Sequence, residues 1–452
     1  MKYIQLTKTN DMKKLHFLTA CWCLVALLPL LTIAQKVEWV EQVIVGNGNK
    51  FEATPPYIDY VTVQTYDPSN GSTSVFDVIK TQSVQDVLIA NQKIYVAAQD
   101  SIIMYDANTL LRLAAVADSG LSRLHVFNNR LVVSKQFTIV RFFVEVLDAN
   151  NLALIARIQN LSGDCKGILS TKDSLYVAVN GGYLATEGKL AVIDFNTWTL
   201  SREINFGPNA VGINDIYNYG GIIFSVNETP FGNPDVGSIT AYSTYSLAYT
   251  NYVLNLRVGN GSGMKNSGVI EPLLYITLNN GIGSFNLDTK QIADTTILPD
   301  PGFTNHIYFT SYNVDYVNNY LYTNIGNRVT FGINVVADTQ GDSITSFPTG
   351  FNTDAIALDY RTPVYIGEPE SAVGKLALYP NPVENTLRIR YTGSSTVHEI
   401  RILDITGRTV FQQTAEDLRK GQWISCAGFP SGLYFLTVRA SDIILSSKFI
   451  KK

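Results

Sequence analysis

Short apolar runs recur along the chain at a spacing of about 40–50 residues, a period that marks repeat architectures. Ile94-Tyr95-Val96-Ala97, Leu131-Val132-Val133-Ser134, Leu175-Tyr176-Val177-Ala178, Ile222-Ile223-Phe224-Ser225, Leu274-Tyr275-Ile276-Thr277 and Tyr320-Leu321-Tyr322-Thr323 are variants of one pattern. Val364-Tyr365-Ile366 reads as a seventh. Turn residues precede most of these runs, as at Asn91-Gln92-Lys93, Asn128-Asn129-Arg130 and Tyr219-Gly220-Gly221. A second run follows several of them, such as Ile102 to Asp106 or Leu190 to Asp194, and then a third, such as Thr199 to Ile204. Their length and their β-branched and aromatic content predict strands.

Each unit offers about four short strands, which cannot bury both faces of a sheet alone. Radial packing around an axis solves that problem, so the pattern predicts an all-β body, a seven-bladed β-propeller over residues 35–366. The ends of the body fit this reading. Lys36 to Gln82 holds the outer strands of a blade (Tyr60 to Thr65 and Val75 to Ile79) and no copy of the repeated strand. Ala355 to Ile366 holds inner strands with no outer ones after them. Together they predict one blade shared by the two chain ends, leaving no sheet edge free.

The flanks read differently. Met12-Lys13-Lys14, the apolar stretch Leu15 to Ile33 and then Ala34-Gln35 form the pattern of a Sec signal peptide over residues 1–34, with Met12 the expected start. No other stretch approaches the ~20 apolar residues of a membrane span, so no transmembrane segment is expected in the mature protein. Gly367 to Gly374 contains Pro369 and lacks apolar periodicity, so 367–375 is expected to be a linker and processing zone. From residue 376 to 452 strand alternation resumes at Leu387 to Tyr391, Glu399 to Leu403 and Leu433 to Val438, with turn chemistry at Asp404 to Gly407. A small C-terminal β-sandwich is predicted there.

Charge narrows the partners. The chain carries 34 basic and 38 acidic residues, a net charge of −4. Residues 35–375 hold 20 basic and 31 acidic residues, a net charge of −11. An acidic body argues against nucleic acid and against anionic membrane surfaces, and it is compatible with cationic or neutral ligands. Cys21 and Cys23 leave with the signal, so Cys165 and Cys426 imply no disulfide framework. No Cys/His pair has metal-ligand spacing, and no catalytic or phosphate-binding motif is present. No cofactor and no metal is expected, and the chain reads as a binding protein rather than an enzyme.

Propeller geometry says where a ligand would sit. The loop after the second strand and the inter-blade connection open on one face, around the channel mouth. The second-strand loops carry Asn180, Tyr183, Asn227, Phe231, Asn279 and Asn280, and an inter-blade loop carries Asn209. Amides both donate and accept, and aromatic rings supply apolar contact, so this top face suits a small neutral or polar ligand or a protein partner. These same residue types also satisfy tight turns. Structural or adhesive action through protein partners, or a glycosidase-like or lyase-like site at the channel mouth, are the alternatives.

Four pieces at the C-terminus carry a family resemblance: Tyr379-Pro380-Asn381-Pro382, Leu403 to Arg408 with Gly407, Phe429 to Val438 with Gly432 and Tyr434, and Lys448-Phe449-Ile450-Lys451-Lys452. In this order they resemble the type A sorting domain of the type IX secretion system of Bacteroidetes. That resemblance implies a partnership with the type IX translocon and its sortase, removal of the tail, and a cargo secreted or attached to the outer cell surface. The body, through Tyr176-Val177-Ala178-Val179-Asn180, resembles YVTN-type bacterial propellers. Some surface propellers of that type capture corrinoids for an outer-membrane transporter, which the resemblance makes a further alternative. Ser101, Ser174, Thr295 and Ser343 each directly follow an Asp, in the Asp-Ser/Thr acceptor pattern of Bacteroidetes O-glycosylation.

Overall fold

The computed structural model describes residues 38–49, 59–136, 142–230, 232, 236–259, 267–302, 306–330, 332–362, 376–391, 397–414, 418, 422–440 and 443–452. Two compact units divide the chain, Met1–Thr362 and Pro363–Lys452. The signal-peptide region, the linker at 367–375 and the run Val364-Tyr365-Ile366 lie outside the described residues.

The first unit is all β apart from two short 3-10 turns among the described residues, and it is propeller-like. Its described residues form seven four-stranded antiparallel sheets. The second sheet shows the pattern, with Asp86–Ala90, Lys93–Ala98, Ser101–Asp106 and Arg112–Ala117 laid side by side in chain order. The third to seventh sheets begin at Leu121–Phe127, Cys165–Ser170, Ile213–Tyr219, Ser267–Ile270 and Tyr308–Asp315. Each of these first strands pairs with the repeated apolar run that follows it.

The repeated run is apolar throughout because both its faces are buried. Ile94 and Val96 join a core with Ile44 and Val63 of the first sheet. Tyr95 and Ala97, one position out of phase, join a core with Leu124 and Leu131 of the third. This period of two assigns alternate residues of one strand to two neighbouring cores. Successive sheets repeat the arrangement, and in the last core Tyr322 and Val336 of the seventh sheet pack with Val43, Val45 and Ile356 of the first. Outer strands such as Arg112–Ala117 alternate instead between exposed and half-buried positions.

A second signature lies at the end of the third strand. Asp67, Asp106, Asp148, Asp194, Asn286 and Asp338 each accept a backbone N–H two residues on, and Ser243 accepts one three residues on. Such side-chain bonds fix the tight turn into the outer strand.

The first sheet takes strands from both chain ends, in the order Asn352–Arg361, Trp39–Gly48, Val61–Tyr66, Thr73–Ile79. Two expectations are corrected here. Residues 36–82 do contain the repeated strand, as Val43-Ile44-Val45-Gly46, and the C-terminal segment contributes one inner strand rather than several. Gly46 stands where other copies have a larger residue, because Val84 and Val87 fill the space a Cβ would need. Asn47 holds the junction. It is buried, accepts bonds from the Gly350 N–H (3.0 Å) and Thr353 Oγ1 (2.7 Å), and donates to Thr62 Oγ1 and Gln64 Oε1. Tyr66 stacks on Phe347 of the seventh sheet with ring centroids 3.9 Å apart.

The second unit has two sheets. Leu376–Tyr379, Thr386–Tyr391 and Gln422–Ser425 form one; Thr409–Thr414, Val397–Asp404, Gly432–Ala440 and Ile443–Lys451 form the other. Leu387, Ile389 and Ile424 of the first share a core with Ile400, Ile402, Leu436, Val438 and Phe449 of the second.

Replacing Asn47 by Ala leaves the Gly350 N–H without its acceptor and removes the link to Thr353. The expected loss is about 1–3 kcal/mol, read as a lower midpoint in thermal unfolding of the full chain. An unchanged midpoint contradicts the role of Asn47 in joining the chain ends.

Candidate functional site

The first strands of the sheets have two ends, and these differ in chemistry. At the end nearest the loops favoured by the sequence, register shifts interrupt the pairing of five of them. Ser122, Lys166, Asn214, Thr310 and Asp354 lie in these irregularities and are all buried. Arg123 Nε approaches Asp215 Oδ1 at 3.8 Å, linking the third sheet to the fifth. The sheet between them has Gly167 there, whose added Cβ would stand 2.9–3.2 Å from the backbone of residues 214 to 216. Asp215 also accepts from Ser267 Oγ (2.5 Å), and Lys166 Nζ lies 3.5 Å from Glu228 Oε2. Buried charges at this end are therefore compensated by one another, and breaking such a pair is costly.

Asp354 differs. Burial pushes its carboxyl up to about 7, and the Arg328 charge lowers it only in part.

The sequence-favoured loop residues divide into three groups. Asn180 and Asn227 are buried, and their amides serve the turns and strands. Asn180 Oδ1 accepts from the Gly182 N–H, and Asn227 Nδ2 donates to Ser238 Oγ and Thr240 Oγ1. Asn209, Asn279 and Asn280 are exposed. Phe231 lies outside the described residues, and Tyr183 sits in the short 3-10 turn Gly182–Leu184.

The opposite end of the axis carries a cavity of about 440 Å³. Tyr217, Asn218, Val269, Ile270, Glu271, Tyr316 and Asn319 line it, where the first strands of the fifth, sixth and seventh sheets turn into their second strands. Tyr217 is fixed by its hydroxyl, which donates to the Ser267 carbonyl at 2.8 Å. Tyr316 lies against Tyr360 with centroids 4.4 Å apart, and its hydroxyl donates to Glu38 at 2.9 Å. Burial, the Glu38 bond and the Glu38 and Asp315 charges push the Tyr316 phenol up to about 12. These residues come from three sheets, and no local pattern in the sequence links them.

Among the described residues, no group of three or more His, Cys, Asp or Glu is placed to hold a metal ion. Cys165 and Cys426 are both free and buried. No helix among the described residues is long and apolar enough to cross a membrane. Thr295 and Ser343 are exposed and Ser101 and Ser174 half-buried.

In the C-terminal unit the separate motif pieces meet. Asn381 donates to the Lys448 carbonyl (3.3 Å) and accepts the Ile450 N–H (2.9 Å). Val383 and Ile450 add a backbone bond of 2.7 Å between the same segments. Tyr434 is buried, its ring stacks on Phe449 at 5.5 Å, and its hydroxyl donates to the Pro430 carbonyl. Asp404 accepts from the Thr406 and Arg408 N–H groups, and Gly407 takes the left-handed conformation (φ 83°) that closes this turn. Tyr379 remains 71% exposed.

Residues 377–452 match the family described as the secretion system C-terminal sorting domain. The tail is a type IX sorting domain. It implies interaction with the type IX secretion machinery and export to the cell surface or the medium.

No curated protein matches the chain. Among solved structures, the chain is similar to the extracellular domain of BT4673 from B. thetaiotaomicron, described as a hybrid two component system. Identity is 9% and the TM-score 0.47, over 90% of this chain and 57% of that one. It is also similar to BamB from Moraxella catarrhalis, with 12% identity, TM-score 0.42, and coverage of 77% and 94%. Hydrazine synthase from Kuenenia stuttgartiensis gives 15% identity, TM-score 0.48, and coverage of 62% and 94%.

Two predictions concern these sites. The folded chain holds a proton on Asp354 up to about pH 7, whereas an ordinary unfolded aspartate loses it near pH 4. This group therefore makes stability fall as pH rises from about 4 to about 7, with no further change above. Asp354→Asn should raise the thermal midpoint more at pH 8 than at pH 4, and an equal effect at both contradicts the assignment. In the sorting domain, Asn381→Ala removes the side-chain clamp on the terminal strand. The expected result is retention of tail-bearing protein inside the cell, seen by fractionation and immunoblotting, against normal delivery of the parent chain.

Proposed function

We propose that this chain is a seven-bladed β-propeller, carried by a C-terminal β-sandwich sorting domain to the outer surface or the medium, where it binds a small ligand without catalysing its conversion. The cavity of about 440 Å³ at one mouth of the axis carries this reading. Its volume lies in the range of small-molecule sites, which combine apolar walls with a few placed polar groups. Tyr217, Tyr316, Val269 and Ile270 supply the walls, and Asn218, Asn319 and Glu271 supply the polar groups. The ring is supported by the seven inter-sheet cores and by the strand pairing of the two chain ends.

This moves the expected site to the opposite end of the axis from the loops carrying Asn180, Asn209 and Asn227.

A thermal-shift panel of small polar compounds on the full chain tests the proposal. At least one should raise the midpoint by several degrees, and Tyr316→Ala should abolish that shift. A panel without any stabilising compound, or a shift unaffected by Tyr316→Ala, argues against ligand binding at this mouth.

A further inference from the structure

The cavity has a sign. Its lining contains one carboxylate, Glu271, and no lysine or arginine. Glu271 is exposed, and the described residues offer it neither a cation nor a hydrogen-bond donor. Other carboxylates surround the same mouth. Glu38 accepts from the Tyr316 hydroxyl at 2.9 Å, and Asp288 accepts from the Tyr219 hydroxyl at 2.8 Å. Asp315 is buried at the base of the turn that carries Tyr316 and Asn319, holding the Val317 and Asn318 N–H groups. Lys290, on the sixth sheet, is engaged elsewhere: its ammonium meets the Leu287 carbonyl and lies 4.5 Å from the Phe224 ring centroid.

The phenols report the resulting field. Tyr316 is harder to ionise through burial first and then through Glu38 and Asp315. Tyr219 is raised chiefly by its bond to Asp288, then by burial, with the Asp288 and Glu271 charges adding to it.

Aromatic faces attract cations through their quadrupole, and here two tyrosine rings line the same space as an uncompensated carboxylate. Among the described residues, an anion would meet carboxylates and no counter-charge. A neutral ligand would leave the Glu271 charge unused.

We propose that this mouth selects an organic cation, an ammonium or guanidinium group on an apolar stem about the size of one ring. This rests on the reading of the cavity as a ligand site. Glu271 receives the charged head, Tyr217 and Tyr316 flank the stem, and Asn218 and Asn319 hold any polar substituent at the rim.

The test uses a pair of probes of one shape and different charge, phenethylamine and 2-phenylethanol, titrated calorimetrically into the full chain. Phenethylamine should bind about tenfold more tightly than the alcohol, a difference typical of one close charge pair. Glu271→Gln should remove that preference, and raising the salt concentration from 50 to 500 mM should weaken only the amine. Glu271 makes no structural bond, so circular dichroism of the variant should match the parent. Tyr316→Phe keeps the ring while releasing Glu38, and it should leave amine binding within about twofold. Equal binding of both probes, sensitive to Tyr316→Ala but not to Glu271→Gln, overturns cation selection and leaves the ligand site standing. No amine binding overturns the proposal, and if the compound panel is also silent, the ligand site falls with it.

Discussion

Burial of a strand on both of its faces is the constraint from which the rest of the body follows. A sheet such as 86–117 cannot bury Ile94 and Val96 on one side and Tyr95 and Ala97 on the other without a neighbour on each side. Every added sheet solves the problem for its predecessor and creates it again at its own far face. Only a closed succession ends the series. The joining of the seventh sheet to the first, through Tyr322, Val336, Val43 and Val45, is therefore as necessary as any internal contact. That junction is also where the chain is discontinuous, which is why Asn352–Arg361 pairs with Trp39–Gly48 and why Asn47 bonds to both sides.

Closure forces the first strands together around an axis and leaves two ends to be filled. One end is filled by side chains that answer each other: Arg123 with Asp215, Asp215 with Ser267, Lys166 with Glu228. Gly167 is part of that solution, since the Arg123 to Asp215 contact spans the strand that carries it. The other end is lined by short turns, and the space between Tyr217, Ile270 and Tyr316 stays open. The two ends thus differ in what lines them, paired buried charges at one and tyrosines with amides at the other.

How much of this was legible in the sequence follows from the range of each signal. The repeated strand was readable because its double burial makes four successive residues apolar, as in Lys93–Ala98. The copy at Val43-Ile44-Val45-Gly46 escaped because it ends on Gly46, which leaves room for Val84 and Val87 on the side of the second sheet, and because the next residue, Asn47, is polar and bonds Gly350. Tyr95 reaches the Ala149 carbonyl of the next sheet, whereas in the first sheet Gln42 makes the corresponding bond to Ala107. A search for tyrosine at that place finds nothing. The loop amides were chosen for residue type alone, which does not separate an exposed Asn279 from an Asn227 enclosed by Ser225, Ser238 and Thr240. The cavity was invisible because residues 217, 270 and 316 become neighbours only when the fifth, sixth and seventh sheets pack side by side.

The sorting tail shows the opposite case, in which the pieces were legible in the sequence and only their contacts were not. Tyr-Pro-Asn-Pro and Lys-Phe-Ile-Lys-Lys look like two independent signals at the two ends of the domain. In the structure Asn381 completes the hydrogen bonding of the last strand, at Lys448 and Ile450, across 67 and 69 positions. Phe449 of that strand carries the ring of Tyr434, which belongs to the third piece. Losing the last few residues therefore removes the partners of Asn381, Val383 and Tyr434 together. In the fold each piece is the packing or hydrogen-bonding complement of another. The Tyr379 ring stands exposed two residues before Asn381, whose side chain bonds the strand from the far end of the domain.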